Sequence, residues 1–138
     1  MEQHRKLVEK LWLAMENGDI DQLASVTTPD VEFRMPGATL RGLAELKGLR
    51  QMWWTAFPDL KHEILNFVES GDSFACEIHV SGTHSGPMQT PKGTIPATGK
   101  KVLFESCDYL RFRDGKVASW HAYTDMLSFQ QQLGLMPK

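Results

Sequence analysis

The sequence predicts an α+β fold in which a strongly bent antiparallel sheet packs on N-terminal helices and closes into a cone-shaped barrel. Three observations carry this. Apolar residues recur at helical spacing as far as Phe57, and segments of period two dominate afterwards. The longest such segment, Val102 to Arg113, alternates between an apolar and a charged face. Asp114-Gly115 then marks a hairpin back along the same sheet.

The elements follow in order. Leu7, Val8, Leu11, Trp12 and Met15 share one helical face, and Gly18 stops that helix. Asp19 caps a short second helix carrying Ile20, Leu23 and Ala24. Thr28-Pro29-Asp30 reads as a turn, and Val31 to Met35 as a short strand ended by Pro36-Gly37. A third helix spans Gly42 to Phe57, and Pro58-Asp59 ends it. Strands are expected at about Lys61–Glu69, Ser73–Ser81, Val102–Arg113 and Lys116–Thr124. A last helix holds Met126 to Leu133 and stops at Gly134.

At 138 residues, 41% of them hydrophobic, the chain suits a single domain over 1–138 with a sizeable core. A net charge of −2 argues against a nucleic-acid partner. There is no apolar run near the ~18 residues of a membrane span. The first residues lack a signal-peptide apolar region. Together with Cys76 and Cys107, which show no metal or redox spacing, this predicts a reducing cytoplasm. The Gly- and Pro-rich stretch from Ser81 to Phe104 is not a phosphate loop. Gly93 stands too far from Gly99-Lys100, the next residue is Lys101 rather than Ser or Thr, and a strand follows instead of a helix. Gly86 to Gly99 reads instead as a long hairpin loop able to cover a cavity mouth. His62, His79, His84 and His121 have no recognised zinc spacing, so no metal site is expected.

Asp108 stands out on the strands. Its face is Val102, Phe104, Ser106, Asp108, Leu110 and Phe112, which sets a carboxylate among hydrophobes. What lies opposite depends on the hairpin. A two-residue turn pairs Arg113 with Lys116 and puts His121 across from Asp108. A three-residue loop pairs Arg113 with Val117 and puts Ala122 there. The second register makes Ala118, Trp120, Ala122 and Thr124 the inner set, which is the more apolar and better suited to a cavity. Turn chemistry alone allows both.

Several short motifs, in order along nearly the whole chain, carry a family resemblance. They are Gly18-Asp19, Thr28-Pro29-Asp30, Ala56-Phe57-Pro58-Asp59-Leu60, Gly82-Thr83-His84, Ala97-Thr98-Gly99-Lys100, Asp114-Gly115-Lys116-Val117, Trp120 with Asp125, and Gln132-Leu133-Gly134. In these the chain resembles the SnoaL-like polyketide cyclases of the nuclear-transport-factor-2-like (cystatin-like) superfamily. The resemblance implies a homodimer with a deep apolar pocket in each subunit, a small hydrophobic oxygenated ligand and no cofactor. It also implies ring closure of a polyketide by an aldol step, run by an Asp with help from a His on the neighbouring strand. The Asp position falls on Ala122 here, the His position on Asp108, and a pocket Asn on Phe33. That pair is not preserved.

A carboxylate in an apolar cavity has its pKa raised by desolvation, which suits proton transfer near neutrality. Asp108 is therefore the candidate acid/base, with Thr124, Ser106 and Trp120 as candidate donors to an enolate oxygen. His121 and Asp125 are second candidates, although Asp125 also suits an N-cap. Pocket walls are expected from Phe104, Ser106 and Leu110 on one strand, and from Trp120, Ala122 and Thr124 on the next. Phe33, Met35, Trp54 and Phe57 complete them from the helices and first strand. The expected activity is cofactor-free cyclase- or isomerase-type chemistry on a small hydrophobic carbonyl compound. Alternatives are a non-catalytic ligand-binding or accessory protein, and an epoxide hydrolase, which would need more polar groups around a water.

Overall fold

The structure, a computed structural model, describes residues 2–136. Helices α1 (Glu2–Asn17) and α2 (Ile20–Val26) lead into β1 (Thr27–Met35) and β2 (Ala38–Arg41). Helix α3 (Gly42–Ala56) follows, then β3 (Lys61–Ser70) and β4 (Ser73–Thr83). A small hairpin, β5 (Met88–Thr90) with β6 (Gly93–Ile95), precedes β7 (Lys101–Arg113), β8 (Lys116–Thr124) and α4 (Met126–Leu133).

Six strands form one curved sheet in the order β2-β1-β8-β7-β4-β3. All pairs are antiparallel except β1 with β8, which run parallel. The helices cover one face, and the core between them holds Leu11, Leu23, Leu46, Phe57, Phe74 and Phe129, all essentially without solvent contact. Burial of such side chains is the main force holding helices to sheet, at about 1.5–3 kcal/mol each. The ends of helices are closed locally. Asp19 accepts from the Gln22 backbone N–H and Asp125 from that of Ser128, while Gly134 ends α4 in the left-handed conformation.

Three expectations need correction. Thr28-Pro29-Asp30 is not a turn between elements but part of β1. The register moves from Thr27 opposite Val117 to Glu32 opposite Ser119, so the intervening residues bulge out of the ladder. Pro29 lacks an N–H and can only sit in such an irregular stretch. Strand β2 and the β5–β6 hairpin are short, and lie where Pro and Gly masked the pattern. The β7–β8 hairpin, finally, combines features of both anticipated forms. The turn is the two-residue one, with Asp114 at φ 54° and Gly115 at φ 74°, and Arg113 pairs with Lys116. Arg111 nevertheless pairs with Ser119 and Phe112 with Val117, leaving Ala118 as an extra residue. This bulge shifts the register so that Ala122 faces Asp108. It also puts Val117, not Ala118, on the inner face with Trp120: Val117 is fully buried, Ala118 only partly.

Candidate active site

Every second residue of strand β7 is buried, so Phe104, Ser106 and Asp108 turn inward in succession. Asp108 is only 2% exposed. Its carboxylate is held at both oxygens: the Ser106 hydroxyl donates to Oδ1 at 2.5 Å, and the Trp120 indole N–H donates to Oδ2 at 2.7 Å. Ser106 Oγ is also 3.0 Å from Thr124 Oγ1, which extends the network along β8. Burial pushes the Asp108 carboxyl above the usual carboxylate range. The hydrogen bonds from Ser106 and Trp120, and the nearby His62, oppose that rise.

The sheet and helices line a half-open cavity of about 80 Å³, and Asp108 lies in its wall. Phe33 and Met35 from β1, Trp54 from α3, Phe104 and Ser106 from β7, and Trp120, Ala122 and Thr124 from β8 share that wall. Phe57 and Leu110 do not. Phe57 packs against His84 and Phe129 beyond the cavity. Leu110, between Phe74 and Trp120 in the sheet, is fully buried in the core outside that wall. A shared sheet face does not mean a shared depth.

His121 sits on the outer face. It pairs across the sheet with Tyr109, and its Nε2 donates to Glu32 Oε2 at 2.9 Å. Glu32 also receives Arg41 at 2.6 Å, and these partners, the His121 hydrogen bond foremost, hold its carboxyl below the usual range. The Asp125 carboxylate is engaged at the α4 N-terminus. His84 is fully buried and ties the long loop down: its backbone bonds to Lys100 and Gly99, and its Nδ1 lies 2.9 Å from Thr98 Oγ1.

Sequence reasoning missed several wall residues, chiefly Met15, Leu49, Leu60, His62, Ile78 and Met126. His62 is the one that matters chemically. Strand phase held the signal: Lys61 and Glu63 are exposed, whereas His62 and Ile64 turn inward.

A curved α+β shell around an apolar cavity, with one carboxylate in its wall, defines a nuclear-transport-factor-2-like cone. Residues 2–133 match the SnoaL-like polyketide cyclase family, and the chain belongs to that family. It is 28% identical over 135 residues to the aklanonic acid methyl ester cyclase DnrD of Streptomyces peucetius, covering 93% of this chain and 88% of that one. Its fold is similar to that of TsrD from Streptomyces laurentii, with a TM-score of 0.83, 26% identity, and 99% and 98% of the two chains covered. An LEH-like epoxide hydrolase of M. tuberculosis shares the fold alone, at a TM-score of 0.73 and 18% identity over 96% of this chain and 90% of that one.

Proposed function

We propose that the protein is a cofactor-free enzyme of the cyclase or isomerase type, with Asp108 as its acid/base, acting on a small hydrophobic carbonyl compound. One observation carries the reading. Asp108 and Ala122 are direct partners across β7 and β8. The resemblance assigns the family's acid to the Ala122 position and its histidine to Asp108. Side chains directly opposite lie about 5 Å apart at Cβ. A carboxylate thus remains at the same cross-strand pair, carried by the other strand.

The chemistry follows from the surroundings. The Asp108 carboxylate takes a proton from a carbon beside a carbonyl, and the electron pair moves onto the carbonyl oxygen. The enolate carbon then attacks a second carbonyl to close a ring, or is reprotonated elsewhere. Ser106 and Trp120 already donate to Asp108. The Thr124 hydroxyl, which donates to Ser106 Oγ in this network, turns from it to steady the enolate oxygen. Asp108 is the sole carboxylate in the wall among the described residues, which favours proton transfer over epoxide hydration. A cavity of about 80 Å³ is small beside the roughly 300–1,000 Å³ of drug-sized sites. A compact ketone fits this volume, and a larger polyketide requires the walls to move apart. The proposal includes a homodimer, for which the exposed Leu103 and Tyr123 on the outer sheet face offer contact surface, and a cytoplasmic location. No helix among the described residues is long and apolar enough to cross a membrane.

The test offers the purified protein aklanonic acid methyl ester and simple ketones, and follows product by mass spectrometry. Asp108→Asn loses roughly a hundredfold or more in turnover while keeping the fold. Unchanged turnover in that variant rejects the assignment. Ligand held tightly by the wild type without conversion supports an accessory binding role instead.

A further inference from the structure

His62 belongs to the walls of two separate spaces. One is the internal cavity with Asp108; the other is an outer groove of about 770 Å³ between α1 and the start of β3. Its side chain is 12% exposed and its ring packs against two tryptophans. Trp12 stacks on it with centroids 5.5 Å apart and planes 5° apart, and Trp54 leans on it at 6.1 Å. Glu16, from α1, hydrogen-bonds the His62 backbone and sets a carboxylate beside its buried ring Nδ1, which has no hydrogen-bond partner among the described residues. Its Oε2 accepts the His62 backbone N–H at 2.9 Å and lies 3.6 Å from the ring Nδ1. The ionisable groups around the ring are Glu16, Arg5 and Glu9 on α1, Lys61 and Glu63 on β3, and Asp108 on β7. His62 and Asp108 are the titratable residues of the cavity wall among the described residues.

We propose that His62 is the second proton-transfer residue of the cavity, serving the bound substrate on one side and, beside Glu16, the water of the outer groove on the other. This rests on the reading of Asp108 as acid/base. Asp108 removes the proton from the carbon beside the carbonyl, and the C–H electron pair becomes the enolate. The His62 imidazolium gives its proton to the oxygen anion, either the enolate itself or the alkoxide left after carbon–carbon bond formation. In ring closure His62 regains a proton from the groove side and Asp108 releases its own to solvent, so one proton enters and one leaves per turnover. In isomerisation Asp108 returns its proton to product carbon while His62 takes back the enol proton, and no proton is exchanged with the groove. Glu16 is a positioning residue: it holds the His62 backbone and faces ring Nδ1 without reaching the cavity.

The experiment follows exchange of the α-hydrogens of cyclohexanone for deuterium in heavy water by NMR. His62→Phe keeps an aromatic ring between Trp12 and Trp54, and circular dichroism checks its fold. It lowers kcat roughly a hundredfold. His62→Ala loses as much and recovers when imidazole is added, which a purely structural histidine would not allow. Glu16→Gln lowers kcat with KM changed by less than about twofold, and Glu16→Asp recovers part of the loss. Wild-type exchange by His62→Phe overturns the role of His62, and a dead Asp108→Asn beside it leaves the Asp108 reading standing. Normal exchange by Asp108→Asn with none by His62→Phe removes the Asp108 reading and supports His62 as the base. No exchange by the wild type above the buffer rate overturns both.

Discussion

Replacing Asp108 by Asn should make the protein more stable at neutral pH. The carboxylate is 2% exposed, and burying such an ion costs several kcal/mol. Its two hydrogen bonds, from Ser106 and Trp120, each offset about 1.5–3 kcal/mol of that. Burial is the larger influence, since the carboxyl is raised rather than lowered. Asn has the same shape and no charge. Its oxygen can accept from Trp120, and its amide can donate to Ser106 Oγ, whose hydroxyl then turns to Thr124 Oγ1, 3.0 Å away. The gain is about 2 kcal/mol, or roughly 6 °C in Tm at ~3 °C per kcal/mol for a chain of this length. The sign with pH is fixed by linkage. With its pKa raised on folding, native Asp108 holds a proton that the unfolded chain has already lost. The stability this provides is full below the unfolded value of about 3.9, and is lost as pH rises through the folded value. The Asn variant therefore gains nothing in strong acid and progressively more toward pH ~8. Glu16, Asp30, Glu32 and Asp59 are lowered by their partners and weaken both proteins alike in acid, so the difference isolates Asp108. Urea unfolding of the two proteins, followed by tryptophan fluorescence across this pH range, measures it. An Asn variant less stable than wild type at pH ~8, or a difference that does not change with pH, refutes the reasoning.

Other changes separate the roles around the site. Trp120→Phe keeps a ring but strips the donor from Asp108 Oδ2, costing about 1–3 kcal/mol. In the Asp108→Asn background the cost shrinks, and strict additivity in denaturation would show that the two are not coupled. His121→Gln leaves ketone exchange near the wild-type rate, because the ring faces Glu32 on the outer side; a loss matching Asp108→Asn would contradict this. Gly86→Ala drives a Cβ into the Thr55 backbone carbonyl oxygen, which cannot swing aside like a side chain, and lowers stability by about 1–3 kcal/mol. Gly48→Ala, inside α3 with nothing within 4 Å, raises it by about 1 kcal/mol, so thermal melts of the two glycine variants should move in opposite directions.

The long elements were legible because their periodicity is strong. Helix α3 was placed from Gly42, one residue longer than observed, and β8 with its observed bounds. The β1 region was not legible, because Thr28-Pro29-Asp30 has turn chemistry but lies within a strand. Tertiary pairing with Val117 and Ser119 holds that stretch beside β8 despite its local preference. Asp108 could be found from one strand, since a single acidic residue broke an apolar row. His62 could not be found in the same way, for it lies on a strand whose inner face is only half-buried. Its significance comes from Trp12, Glu16 and Trp54 on two helices, which sequence spacing does not bring together. Depth along the cone was equally hidden, and so Phe57 and Leu110 were assigned to a wall they do not reach.

The β7–β8 hairpin shows why one residue decides the chemistry. With the tight turn alone, every residue of β8 beyond Ala118 would change face, and His121 would stand opposite Asp108. Trp120 would then point outward and could not reach the carboxylate. Ala118 prevents this by occupying no place in the ladder. Its bulge costs the sheet one pairing position, but it brings Trp120 to Oδ2 and Thr124 to Ser106 while turning His121 toward Glu32. A carboxylate, two donors and a small residue opposite are thereby gathered on one face. The space that Ala122 leaves unfilled lies beside the acid, where a ketone carrying an acidic C–H would have to sit. On this account the bulge, more than any single catalytic side chain, sets which face of β8 the cavity receives.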